Sequence, residues 1–204
     1  MIAVVDYGMG NLRSVSKALE AVGGRVRVTG DAGEVSKADK VVLPGVGAFE
    51  KAAAALAAGG LDEAVKGAIW AGRPFFGICL GLQLLFETSH EDGAHSGLGV
   101  FSGEVVRFER DMARPQLKIP HIGWNQVEIT SAAPHFAGIP PRTYFYFVHS
   151  YYVAPADNRI VAGRSEYLRP FAAAVWQDNV FASQFHPEKS QKWGLKLLEN
   201  FVAL

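Results

Sequence analysis

Cys79 is the only cysteine of the chain, and it stands in Phe76-Gly77-Ile78-Cys79-Leu80-Gly81-Leu82-Gln83, between two glycines where an apolar strand pattern meets an apolar helix pattern. A G-x-C-x-G turn of this kind is a nucleophile elbow with sulfur in place of the serine oxygen. A tight strand-to-helix turn imposes strained dihedrals on the nucleophile. It also leaves no room for side chains two positions away on either side, hence the glycines. The helix that follows is expected to aim its free N–H groups and positive dipole end at the sulfur, favouring thiolate over thiol. The Leu80 N–H is expected to donate to a developing oxyanion. The motif is short, however, and the commoner fate of a lone cysteine is that of a small buried hydrophobe.

A thiolate nucleophile needs a base, and the base needs a group to orient it. Gln184-Phe185-His186-Pro187-Glu188-Lys189-Ser190 contains both. His186 follows the apolar run 180–185, at the sheet end where α/β sites form. Glu188, two residues on, is within reach of the imidazole Nδ1 and would turn the other nitrogen toward sulfur. A third element is Pro44-Gly45-Val46-Gly47-Ala48-Phe49, after a strand ending at Leu43. Gly-rich turns at strand ends present N–H groups to anions, although any βα turn asks for Gly and Pro. Asp6-Tyr7-Gly8-Met9-Gly10-Asn11 has neither G-K-[ST] nor a full G-x-G-x-x-G, which argues against nucleotide binding. His90 and His95 flank Glu91-Asp92-Gly93 with no further ligand cluster and read as a solvated loop, so no metal is expected. His121 and His135 receive no role.

The elements that must carry these residues alternate. Ile2 to Val5 is a β-branched run, and from Asn11 the period changes, with Leu12, Val15, Leu19 and Val22 on one helical face. Val26 and Val28 suggest a second strand and Val41-Val42-Leu43 a third, stopped by Pro44-Gly45. Helices are expected through Leu56 and over 62–71, and Pro74 to Ile78 reads as a buried strand running into Cys79. Strand and helix taking turns implies βαβ units around a mostly parallel sheet with flanking helices. After Gly97 the texture shifts to shorter, antiparallel strands at 105–108, 127–129, 144–148, 173–176 and 180–185, the last two joined by a hairpin turn at Gln177-Asp178-Asn179. Trp193, Leu197 and Phe201 mark a closing helix. With no repeat or linker, residues 1–204 read as one α/β domain.

Lys+Arg and Asp+Glu balance at 20 each among 204 residues, which removes the electrostatic reason to expect nucleic acid or an anionic membrane. The N-terminus lacks a signal-peptide pattern and no apolar run approaches a bilayer's width, so the chain reads as cytoplasmic. One cysteine excludes a disulfide framework.

With those residues assembled, the chain resembles the class I (triad-type) glutamine amidotransferases, which have a flavodoxin-like fold. Within them it is similar to the glutaminase subunits of imidazole glycerol phosphate synthases. Seven blocks carry the resemblance from end to end: 6–12, 43–49, 77–83, Pro120-His121-Ile122-Gly123-Trp124-Asn125, Tyr146-Phe147-Val148-His149-Ser150-Tyr151, 182–185 and 186–190. It implies hydrolysis of glutamine to glutamate and ammonia through a thioester, without a cofactor. Cys79 would be the nucleophile, His186 the base then acid, and Glu188 its orienting group. Gly45, Val46, Gly47 and Leu80 would form the oxyanion hole; the Gly45–Val46–Gly47 peptide is expected to be its switch because glycine tolerates a reversal of its N–H. Gln83 and the backbone of His149, Ser150 and Tyr151 would hold the substrate's α-groups. The partner implied is a (β/α)8-barrel cyclase in a heterodimer, which receives the ammonia and forms imidazole glycerol phosphate and an aminoimidazole carboxamide ribotide in histidine biosynthesis. Asn11, Trp124, Tyr146 and Lys189 match positions at its interface. Two other readings use the same residues: a cysteine peptidase or esterase-like hydrolase on the same elbow, and a non-catalytic binding module with a decayed amidotransferase fold.

Overall fold

The computed structural model describes all of residues 1–204. Strands are β1 (Ile2–Val5), β2 (Val26–Thr29), β3 (Lys40–Gly45), β4 (Phe75–Cys79), β5 (Phe86–Ser89), β6 (His95–Ser96), β7 (Phe101–Arg107), β8 (His121–Ile129), β9 (Thr143–His149), β10 (Tyr151–Pro155), β11 (Val161–Glu166), β12 (Pro170–Gln177) and β13 (Val180–Ser183). Helices are α1 (Leu12–Ala21), α2 (Ala32–Lys37), α3 (Phe49–Ala58), α4 (Leu61–Trp70), α5 (Leu80–Gln83) and α6 (Gln191–Ala203). A nine-stranded sheet runs β2-β1-β3-β4-β13-β12-β11-β8-β9. Its first five strands are mutually parallel and the rest antiparallel. That is the expected class: a doubly wound parallel half with an antiparallel extension.

The parallel strands are apolar runs because both faces are covered. Successive residues alternate sides. Ile2 and Val4 of β1, with Val42 and Phe76, pack against Val15 and Leu19 of α1 and Leu197 and Phe201 of α6. Ala3 and Val5, with Val41, Leu43 and Phe75, pack against Val35, Phe49, Leu56 and Val65 of α2, α3 and α4. No helix is long and apolar enough to cross a membrane.

The structure departs from the sequence reading in several places. β3 is not stopped by Pro44-Gly45 but runs through them, Gly45 pairing with Cys79. The helix expected after Cys79 is a single turn, α5: Leu82, Leu84, Leu85 and Phe86 are all buried, so the run has no polar face on which an amphipathic helix could continue. The dipole offered to the sulfur is correspondingly that of one turn. The chain enters a second sheet instead, ordered β10-β7-β5-β6, of which β5, β6 and β10 were not foreseen, nor was β11 of the main sheet. α2 was also unforeseen, although Asp31 accepting from the Glu34 N–H at 2.9 Å is the N-cap its D-x-x-E spacing encodes.

Candidate active site

Cys79 closes β4 with φ 56° and ψ −105°, in the left-handed region that a side chain adopts only where the surroundings compel it. The glycines explain how the turn is tolerated. A Cβ on Gly81 would lie 1.9 Å from the Leu43 carbonyl oxygen, and one on Gly77 would lie 2.8 Å from the Gly81 oxygen. β3, β4 and the start of α5 meet backbone to backbone there. The Leu80 N–H opens α5, where helical N–H groups have no intrahelical acceptor.

β13 lies parallel beside β4 and carries the chain to His186, whose N–H donates to the Tyr146 carbonyl at 2.9 Å. Pro187–Lys189 forms one 3-10 turn, which folds Glu188 back so that its Oε1 meets His186 Nδ1 at 2.8 Å. Both side chains are at most 2% exposed. Burial is the strongest influence on the imidazole and pulls its pKa down. The negative Cys79 sulfur and the Glu188 carboxylate outweigh it and hold His186 up at about 10. Glu188 occupies Nδ1, so His186 Nε2 is the nitrogen left for the sulfur.

A cavity of about 360 Å³ opens over the sulfur, within the range of small-molecule sites. Its lining combines Val46 and Gly47 from the turn after β3, Cys79 and Leu80 from the elbow, Gln83, Glu91, Pro120, and residues 148–151 between β9 and β10. Leu80, Gln83, His149, Ser150, Tyr151, Val46 and Gly47 are thus brought together with Cys79. Gly45 is not on the cavity wall: it is buried in β3, where a Cβ would meet the Tyr7 hydroxyl at 2.5 Å. Gly47 sits at φ +103°, a conformation glycine alone adopts without strain. Both amide hydrogens of Gln83 are engaged inside the protein, by the Tyr151 carbonyl at 3.1 Å and Gln184 Oε1 at 3.2 Å. Toward the cavity Gln83 can therefore only accept.

A model of the class-I glutamine amidotransferases matches residues 3–204 of the chain. The chain belongs to the class-I glutamine amidotransferase family. It is 56% identical to the imidazole glycerol phosphate synthase subunit HisH of Syntrophotalea carbinolica, over 98% of either chain. It is 53% identical to the HisH subunit of Neisseria meningitidis serogroup A, again over 98% of each, and 49% to that of Rhodopirellula baltica, over 99% and 97%. The fold recurs in solved structures of low identity. A glutamine amidotransferase crystal structure is 19% identical with a TM-score of 0.76, covering 100% of this chain and 99% of its own. PurLQS from Thermotoga maritima is 19% identical with a TM-score of 0.78, covering 99% and 97%.

Three polar residues of this class-I amidotransferase site went unassigned in the sequence. Glu91 is the one carboxylate on the cavity wall, and its Oε2 accepts from the Phe49 N–H at 2.8 Å, tying the 90–95 loop to the start of α3. Gln184 donates from Nε2 to the Cys79 sulfur at 3.6 Å. Tyr7 donates to the Pro44 carbonyl at 2.9 Å beneath the Gly-rich turn, and burial with the nearby sulfur's charge raises its pKa. His90 Nε2 sits 3.2 Å from Glu104 Oε2.

Of the residues matched to the family's partner interface, three cluster. Trp124 and Tyr146 oppose one another across β8 and β9, edge to face at 6.2 Å, and Lys189 Nζ lies 5.8 Å from the Tyr146 ring centroid. Trp124 is 45% exposed. Asn11 has a local task, its Oδ1 accepting from the Ser14 N–H at 3.3 Å as the cap of α1. The aromatic run of β9 divides as alternation requires, with Phe145 and Phe147 buried and Tyr144 exposed.

Proposed function

We propose that residues 1–204 act as one glutaminase unit in which Cys79, His186 and Glu188 hydrolyse glutamine to glutamate and ammonia. The observation that carries this reading is the strained Cys79 elbow beside the buried His186–Glu188 pair. The sulfur attacks the side-chain amide carbon of glutamine. The oxyanion is held by the Leu80 N–H and by N–H groups of Val46 and Gly47, the part of the Gly45–Gly47 segment that lines the cavity. One such donor contributes about 10²–10³ in rate. His186, protonated next to the sulfur, gives its proton to the departing ammonia as the tetrahedral intermediate collapses to a thioester. It then removes a proton from water, which attacks the thioester carbon, releases glutamate and leaves the sulfur beside a protonated His186 as at the start. Glu188 fixes the Nδ1–H tautomer so that Nε2 carries the transferred proton.

Glu91 and the acceptor end of Gln83 suit the α-ammonium of the substrate, and the backbone of His149, Ser150 and Tyr151 its carboxylate. The ammonia passes to a (β/α)8-barrel cyclase docked on the face that bears Trp124, Tyr146 and Lys189, in a cytoplasmic heterodimer making imidazole glycerol phosphate. Gly47 supports a switch role for its peptide: a glycine can reverse its N–H where another residue resists.

The test is glutamate release by the chain alone and with the cyclase carrying its nucleotide ligand, beside Cys79→Ala. Stimulation by the liganded partner that the variant abolishes is expected. Absence of glutamate release in both conditions would overturn the reading, and partner-independent peptide or ester hydrolysis would favour the hydrolase.

A further inference from the structure

Two buried histidines whose rings the proposed chemistry does not use link the cavity wall to the partner-facing strand. His121 of β8 and His149 at the end of β9 are 3% and 5% exposed, and His121 Nδ1 lies 2.9 Å from His149 Nε2. His149 Nδ1 is 2.8 Å from the Tyr151 carbonyl oxygen, and Asn125 Nδ2 is 3.4 Å from His121 Nε2.

The protons of this chain follow from donor and acceptor types alone. A carbonyl oxygen only accepts, so His149 Nδ1 carries a hydrogen. A neutral ring carries one, so His149 Nε2 accepts and His121 Nδ1 donates to it. His121 Nε2 then accepts, and the Asn125 amide is turned to supply that hydrogen: its Oδ1 takes the Gln126 N–H at 2.8 Å, and its Nδ2 also donates to the Glu166 carbonyl at 2.8 Å. The result is a one-way relay, Asn125 to His121 to His149 to the Tyr151 carbonyl. Gln83 donates to that same carbonyl, and through Gln184 the path reaches the Cys79 sulfur. Protonation of either ring would place two donors face to face. Burial opposes this, pulling His121 to about 4 and His149 to about 3. His121 is also held between flat neighbours, Tyr167 at 4.0 Å and Phe147 at 5.0 Å, so its ring has one orientation.

We propose that His121 and His149 are positioning residues: a neutral pair, both protonated on Nδ1, that sets the glutamine-facing wall at residues 149–151 and ties it to the strand bearing Trp124. The functional half rests on the glutaminase reading above, and the tautomer half does not.

Two measurements test it. In the full chain with ring-15N histidine, both residues are expected as the Nδ1–H tautomer, the minor form of free histidine. Nε2–H on His149, or a charged ring at neutral pH, would overturn the relay. In the complex with the liganded cyclase, His121→Phe keeps the stacking and removes the hydrogen bonds. His121→Asn puts an amide donor where Nδ1 stood. His121→Phe is expected to raise the KM for glutamine about tenfold, with kcat within about twofold, since one lost hydrogen bond in a buried site is worth roughly that factor. His121→Asn is expected to recover most of it. An unchanged KM in His121→Phe, or an Asn variant as poor as the Phe variant, would overturn the positioning role. A wild-type complex that releases no glutamate would instead sink the glutaminase reading, with the tautomer spectrum still deciding the relay.

Discussion

Gln184 donates one amide hydrogen to the Cys79 sulfur at 3.6 Å and accepts from Gln83 Nε2 at 3.2 Å, so one side chain is bonded both to the proposed nucleophile and to the substrate wall. Gln184→Leu removes both bonds at nearly constant volume. Alkylation of Cys79 by iodoacetamide is expected to slow several-fold, since a donor to sulfur favours its charged form. Glutamine KM should rise as Gln83 loses an anchor. Alkylation at the wild-type rate would show that the contact does not act on the sulfur.

Glu188→Gln keeps an oxygen beside His186 Nδ1 and removes the charge. His186 should then titrate well below about 10, because one of the two negative neighbours that offset its burial is gone. Turnover should fall on the order of 10², the scale of a mispositioned general acid-base. Side-chain NMR titration of His186 in wild type and variant checks the shift, and matching titrations would count against the triad.

The pH dependence of stability is set by opposed histidines. His186 has its pKa raised in the folded state, so its stabilisation is complete below about 6.5 and is lost as pH rises through about 10. His121, His149 and His135 have theirs lowered to about 4, 3 and 3. The unfolded chain therefore binds more protons than the folded one as pH falls below about 6.5, and stability declines on that side. Denaturant midpoints should peak near pH 6.5. His135 is stacked on Phe181 at 4.1 Å with neither ring nitrogen hydrogen-bonded. His135→Phe should therefore add about 1 kcal/mol at neutral pH and flatten the acid limb alone.

Gly47→Val tests the proposed oxyanion switch. Its φ of +103° is strained for valine, and a Cβ there meets Met9 Cε at 2.8 Å, the yielding end of a flexible side chain. The fold should survive, with loss of stimulation by the liganded partner read as glutamate release. Gly45 is the poorer site for this test, since a Cβ there strikes Tyr7 and Leu80 inside the core. Undiminished stimulation in Gly47→Val would place the switch elsewhere.

The parts legible in the sequence were those written locally. The apolar runs at Ile2–Val5 and Phe75–Ile78, the glycines bracketing Cys79, and the two-residue spacing of His186 and Glu188 each state their geometry within one turn of chain. What escaped was non-local. Glu91 acts on Phe49 across 42 positions and Gln184 on Cys79 across 105, and no period or spacing announces such pairs. β5 and β6 were hidden for another reason. Phe86–Ser89 follows an unbroken buried run, so helix and strand patterns coincide until tertiary packing with β7 decides between them.

The neighbouring strands β4 and β13 are far apart along the chain, with 100 residues between Cys79 and Val180 still to be synthesised when the elbow is complete. During translation the thiol therefore emerges without its histidine, and prolyl–glutamyl residues 187 and 188 come later still. A chain terminated before residue 186 lacks two of the three proposed triad residues. On the proposed triad, hydrolytic competence arises only with the long-range closure that sets β13 beside β4, so the last residues to be made complete the site begun by the first eighty.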